Sequence, residues 1–295
     1  MLDPSLVVRW WRSIRPRSLG TAVAPVLVGG SAAIHDGEAR PWALVVALVG
    51  VSLLLIGVNL ANDYFDYRSG ADPPLGVGPR PLQQGFLAPR TFLIGSIGAI
   101  GLAGVLGLAL IISSPIEALL IGCAGALLGF FYTAPPLRLG YRGLGEVVVF
   151  LGLGPGACLG TYLVTAGRMG WTPVLASLPI GFTVTALLHA NNLRDLDEDA
   201  RSGKRTLAVR LGFRGAVREY VVLLAGAAAT TVAVAVFLTP FASIALLVFP
   251  VLWTMSRQAI EQPVDGRALM LRTSSVHLRL ATLLAIGLTV GGIVR

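Results

Sequence analysis

Apolar runs about as long as a bilayer is thick follow one another through this 295-residue chain with only short breaks. A helix of roughly twenty such residues crosses a hydrocarbon core of ~30 Å and satisfies its own backbone hydrogen bonds there. Nine spans are read: Leu19–Ile34, Trp42–Asn62, Phe92–Ser113, Ile116–Tyr132, Glu146–Ala166, Trp171–Asn192, Val217–Thr239, Phe241–Ser256 and Val276–Val294. Charged residues make up only 13% of the chain, about half the share usual in a soluble domain. The mean hydropathy is +0.77. Ten-residue alternating segments and aromatic girdles, the marks of an outer-membrane barrel, are absent. The prediction is therefore all-α: a polytopic membrane helical bundle of nine transmembrane helices, with residues 1–295 as one integral-membrane domain.

The loops fix an orientation. Of 23 Lys and Arg residues, only Arg40, Arg168 and Arg295 fall on one side of the spans. By the positive-inside rule the opposite, basic side faces the cytoplasm, which predicts a multi-pass protein of the cell (inner) membrane. The net charge of +8 is thereby accounted for by topology, and no nucleic-acid partner is expected. Arg9, Arg12, Arg15 and Arg17, interleaved with Trp10 and Trp11, precede the first span. No small-residue cleavage site follows, so that span reads as retained, with the tryptophans at the interface. Cys123 and Cys158 both lie in apolar runs and read as small buried residues rather than a disulfide or metal pair.

Two polar clusters interrupt this pattern. Asn59, Asn62, Asp63 and Asp66 close the second span at three- and four-residue spacing, which places them on one helix face. Asn191, Asn192, Asp195 and Asp199 repeat the arrangement after the sixth. The bland reading is helix capping in a solvated loop. Yet aspartates favour helix amino termini, and these follow carboxyl ends, where the dipole opposes them. Carboxylates near lipid usually mark a function. Facing sets of hard oxygen ligands suit Mg²⁺, which commonly bridges protein carboxylates to phosphate oxygens.

Lys204, the only lysine, comes just after the second cluster and is placed to neutralise a phosphate; a solvated loop charge explains it equally well. Arg80 and Arg138 invite the same phosphate reading. Gly203-Lys204 is no P-loop, because the upstream glycine and the strand are missing. Gly152, Gly154 and Gly156 lie inside a span, where close helix packing explains them better than a dinucleotide fingerprint. His189, one turn before Asn192, could face the cavity, although a lone histidine is more often structural; His35 and His277 have no ligand partners in sequence, and a zinc site has no support.

Three segments carry a resemblance. They are Asn59-Leu-Ala-Asn-Asp-Tyr-Phe-Asp66 with Asp72, Tyr132 through Glu146, and Asn191-Asn-Leu-Arg-Asp195 through Asp199 to Lys204. With Arg15-Pro16-Arg17 ahead of the first span, they resemble the UbiA superfamily of intramembrane aromatic prenyltransferases. Within it they look most like the 1,4-dihydroxy-2-naphthoate prenyltransferases of menaquinone synthesis. Asp72 falls later than in the commonest superfamily spacing, though in register with the naphthoate group.

The resemblance implies helices around a central cavity and transfer of a polyprenyl group from polyprenyl diphosphate to dihydroxynaphthoate, with decarboxylation. It implies Mg²⁺ held by Asp63, Asp66, Asp195 and Asp199. Asn59, Asn62, Asp72, Asn192, Arg15, Arg17, Arg80 and Arg138 would then lie around the substrates. Lys204 would neutralise the leaving diphosphate, and the ring of Tyr132 would stabilise the allylic cation. Transfer to 4-hydroxybenzoate, an ion-coupled transporter and a silent isoprenoid-binding scaffold are the alternatives. A transporter would place its carboxylates nearer mid-membrane, on broken helices.

Overall fold

The computed structural model describes residues 5–70, 81–85, 87–261 and 265–295, and those residues fold as helices and turns without a strand. In chain order the helices are α1 (Leu6–Ser13), α2 (Gly20–His35), α3 (Pro41–Ser69), α4 (Pro89–Ile111), α5 (Ile116–Phe130) and α6 (Gly145–Leu151). After a π turn at Gly152–Gly156 come α7 (Ala157–Ala166), α8 (Thr172–Arg194), α9 (Leu196–Arg201), α10 (Leu207–Phe237), α11 (Phe249–Glu261) and α12 (Gly266–Val294). Eight helical segments among the described residues are long and apolar enough to cross a membrane. The ninth expected span, α5, has only 15 residues. It starts after Pro115 and unwinds at Phe131, where the chain leaves for the loop that carries Tyr132.

Several helices outrun the spans read from hydropathy, because polar turns stay helical beyond the lipid. Helix α3 has 29 residues, about 43 Å at 1.5 Å per residue. The first cluster therefore rides on an unbroken helix instead of opening a loop, and Gly70, at φ 69°, ends it in a left-handed cap. Helix α10 begins ten residues earlier than expected, at Leu207, with the Thr206 hydroxyl accepting from the Val209 N–H, but it breaks at Gly212 (φ 65°, ψ 170°), so a short helix precedes the spanning one. Helix α12 likewise begins at Gly266, its first turn capped by Asp265. The segment before α11, Pro240–Val248, is a 3-10 helix.

The largest buried apolar core joins α2, α8, α10 and α12, where Ile180, Tyr220, Leu280 and Leu284 are buried. Glycines set the closest approaches. A Cβ at Gly154 would lie 2.5 Å from the Gly181 Cα, so the π turn rests directly on α8, the close packing expected there; Gly152 and Gly156 meet no neighbouring helix and line the cavity described below instead. Helices α3, α4 and α5 instead turn large apolar residues outward, Val45, Ile94, Val105 and Leu120 among them, as a lipid-facing wall should. Cys158 is buried as expected, but Cys123 is exposed. It lines the large cavity described below.

At the end remote from the acidic clusters, the turn after α2 is pinned by Asp36. Its carboxylate accepts from the Tyr162 hydroxyl at 2.7 Å and the Thr172 hydroxyl at 2.7 Å.

Candidate active site

A cavity of about 1610 Å³ opens among the helices, apolar over most of its length and polar at the basic end. Leu110, Ile111, Ala118 and Val164 line its far reaches. Both acidic clusters line the polar end, Asn59, Asn62, Asp63 and Asp66 from α3, and Asn191, Asn192, Asp195 and Asp199 from α8 and α9. Sequence spacing predicts each set on one face; only the fold shows that the two faces meet.

Lys204 joins them. Its ammonium donates to Asp66 Oδ2 at 3.2 Å and lies 4.0 Å from Asp199 Oδ1. The turn after α9 holds it there, with the Lys204 N–H bonded to the Asp199 carbonyl at 2.9 Å. The other carboxylates have cationic partners too. Arg15 ion-pairs with Asp63, and Arg194 grips Asp195 through Nε at 2.7 Å and Nη2 at 2.5 Å. Among the described residues no three His, Cys, Asp or Glu side chains converge as ready-made metal ligands; basic side chains stand against the acids instead.

The surplus of negative charge is nonetheless real. Burial, together with the carboxylates of Asp195, Asp66 and Glu198, pushes the Asp199 carboxyl up to about 7, although Lys204 opposes the shift. A further cation placed among these oxygens would relieve that repulsion. The donor set, hard carboxylate oxygens on two facing helix ends, fits Mg²⁺.

The amides are individually held. Asn59 donates to the Ser18 hydroxyl at 2.9 Å, and Asn62 accepts from Thr133 at 2.8 Å. Asn191 reaches Asp195 at 3.5 Å, and Asn192 donates to Glu146 at 2.9 Å. Tyr132 is wedged against two glycines. A Cβ at Gly140 would lie 2.7 Å from its ring, and one at Gly145 would lie 2.7 Å from its hydroxyl. Burial, and after it the carboxylates of Glu146, Asp66 and Asp199, raises its phenol well above the usual value. It stays protonated at neutral pH and offers the site a ring and an O–H, not a base.

The remaining expected residues divide. Arg15 and Arg17 line the cavity. Arg138 does not; it takes a left-handed backbone at φ 45° and sets its guanidinium 5.7 Å from the Tyr141 ring centroid. Asp72 and Arg80 lie outside the described residues.

Two cavity residues escape a reading by motif. Tyr141 donates to Asp66 Oδ1 at 2.6 Å and lies under the Lys204 ammonium, which is 5.1 Å from its ring centroid. Arg194 belongs to the third quoted segment, but nothing in spacing told its role from that of any loop arginine.

An intramembrane helical protein, with facing acidic clusters and a caged ammonium at the mouth of a long apolar cavity, is the class that this fold and site define. The chain belongs to the UbiA prenyltransferase family, whose profile matches residues 22–288. It is 37% identical over 243 residues to the 1,4-dihydroxy-2-naphthoate octaprenyltransferase of Mycobacterium tuberculosis, covering 82% of each chain. It is 34% identical over 224 residues to the enzyme of the same name from Escherichia coli, covering 74% of this chain and 73% of that one. Among solved structures, a UbiA homolog from Archaeoglobus fulgidus bound to GPP and Mg²⁺ superposes with a TM-score of 0.70. That match has 14% identity and covers 96% of this chain and 99% of the other.

Proposed function

We propose that this protein transfers a polyprenyl group from polyprenyl diphosphate to 1,4-dihydroxy-2-naphthoate, with loss of carbon dioxide, giving demethylmenaquinol for menaquinone synthesis. The relatives named for that reaction support the acceptor. The observation that carries the chemistry is Lys204, set between Asp66 of the first cluster and Asp199 of the second at the polar end of an apolar cavity.

The diphosphate lies at that end, with Lys204, Arg15 and Arg17 as its positive surround. As the allylic C–O bond breaks, charge builds on the leaving oxygens, and fixed cations in a water-poor site stabilise it strongly. Asp63, Asp66, Asp195 and Asp199 are the residues that would hold Mg²⁺; Asp66 and Asp199 are the two that Lys204 already draws together. Bound there, Mg²⁺ would supply positive charge to offset both the carboxylates and the leaving diphosphate. Arg15 and Arg194, paired with Asp63 and Asp195 here, would then be available to the phosphates. The Tyr132 ring faces the cation left on the prenyl chain, the apolar walls keep water from it, and the tail lies along the cavity toward Leu110 and Val164. The distribution of arginine supports a polar end that faces the cytoplasm.

Product mass spectrometry tests this directly. Purified protein given Mg²⁺, a polyprenyl diphosphate and equimolar dihydroxynaphthoate and 4-hydroxybenzoate should yield the decarboxylated prenyl naphthoquinol and no prenyl benzoate. EDTA should stop the reaction and Mg²⁺ restore it. Prenylated hydroxybenzoate as the main product would overturn the choice of acceptor.

A further inference from the structure

Behind the second cluster lies a buried polar assembly that the reaction as derived above does not use. His189 on α8 is fully buried, and Glu146, in the first turn of α6, is 5% exposed. His189 Nε2 is 2.9 Å from the Ala216 carbonyl of α10. A carbonyl can only accept, so Nε2 carries a hydrogen. Nδ1 faces Glu146 Oε1 at 3.0 Å, and one proton is held between that nitrogen and that oxygen. Glu219 approaches from α10, its Oε2 3.8 Å from the same Nδ1.

The same Glu146 Oε1 takes a second partner, the Asn192 amide nitrogen at 2.9 Å. This contact settles which way the amide points. Reversed, it would set its carbonyl oxygen against Oε1, whose only available hydrogen is engaged by His189. With Nδ2 committed to Glu146, Asn192, which lines the cavity, keeps its carbonyl oxygen for what the cavity holds. Glu146 also follows Gly145, the residue against which the Tyr132 hydroxyl is wedged. The assembly thus ties the Tyr132 segment, α8 and α10 together at the edge of the second cluster.

We propose that Glu146 and His189 are positioning residues that lock the Asn192 amide so that it meets the cation–diphosphate as an oxygen acceptor rather than as an N–H donor to phosphate. The inference rests on the cation–diphosphate reading of the cavity. Residues that orient a ligating group from behind usually matter to cation affinity, by about 10- to 100-fold on removal.

Calorimetric binding of inorganic pyrophosphate with Mg²⁺ to the purified full-length chain provides a readout that needs no turnover. Asn192→Ala should weaken binding about tenfold. Glu146→Ala should weaken it to a similar degree, and the double variant should be no weaker than Asn192→Ala alone, since both act through one amide. Glu146→Gln, which keeps an acceptor oxygen for Asn192, should stay within about twofold of the parent and serves if Glu146→Ala does not fold. Losses that multiply in the double variant, wild-type affinity in Glu146→Ala, or a Glu146→Gln variant as weak as Asn192→Ala would overturn the proposal. Asp66→Ala separates the two levels. Binding that depends on Asp66 but not on Glu146 defeats only the positioning role, whereas binding indifferent to Asp66 defeats the cation–diphosphate reading as well.

Discussion

Asp66 holds Tyr141 by one carboxylate oxygen and Lys204 by the other, whereas Asp63 faces Arg15. The two acids of the first cluster are therefore not equivalent. In a radiolabelled prenyl-transfer assay Asp66→Ala should leave no measurable product, while Asp63→Ala should retain weakened but measurable turnover. Lys204→Met removes the cation shared by both clusters, and kcat should fall about 100- to 1000-fold with the protein still folded. Asp199 makes the site sensitive to acid. Its carboxyl in the folded protein stands at about 7, above the unfolded carboxylate range. Its stabilising contribution is thus complete below that range and is lost as pH rises through about 7, when a charge must be carried among other carboxylates. The cation that needs the ionised form behaves oppositely. Mg²⁺ affinity should weaken as pH falls below about 7, and Asp199→Asn should flatten that limb of a calorimetric pH series. At this scale the sequence is informative for residues that announce themselves by rarity or recurrence, such as the sole lysine and the paired Asn/Asp sets. It is silent on Tyr141, Arg194 and the Glu146–His189 pair. Their partners lie far along the chain or resemble every other loop residue, and no local pattern encodes such a contact.

Helices carry the same lesson differently. The existence of α3 and α8 follows from apolar length, and the use of their polar ends follows from spacing. Their ends do not follow from hydropathy. Helix α3 continues through the first cluster to Ser69, while α8 stops at Arg194 and hands Asp199 to the short α9, so one cluster lies along a single helix and the other spans a bend. The 15-residue α5 reads as a full span from composition, because the apolar residues beyond it belong to the turn that leads into Tyr132. At the remote end, the Asp36 carboxylate joins α2 to α7 and α8 through Tyr162 and Thr172. Asp36→Ala removes the hydrogen bonds from both hydroxyls and the His35 Nδ1 contact at 3.0 Å, leaving three polar groups without that partner. Unfolding followed in detergent should show a loss of roughly 2–4 kcal/mol, with the Mg²⁺ requirement of the surviving folded fraction unchanged.

Across the whole molecule, the tightly packed half of α2, α8, α10 and α12 is a frame against which α3, α4 and α5 enclose a cavity and face lipid. That asymmetry lets one apolar protein keep a long hydrocarbon chain inside and a highly charged head at its edge. A membrane-impermeant thiol reagent added outside cells should label a cysteine placed in the turn after Arg201 only once the membrane is permeabilised, and labelling without permeabilisation would contradict the orientation. The central claim is that one diphosphate head and its cation are held jointly by the two acidic sets. The most direct measurement is anomalous scattering from crystals grown with Mn²⁺ in place of Mg²⁺ and a non-hydrolysable polyprenyl diphosphate. Density for manganese bridged to the diphosphate, with oxygen ligands from both the Asp66 and the Asp199 sides, is the predicted result. Manganese bound by one set alone, with the diphosphate elsewhere in the cavity, would contradict it.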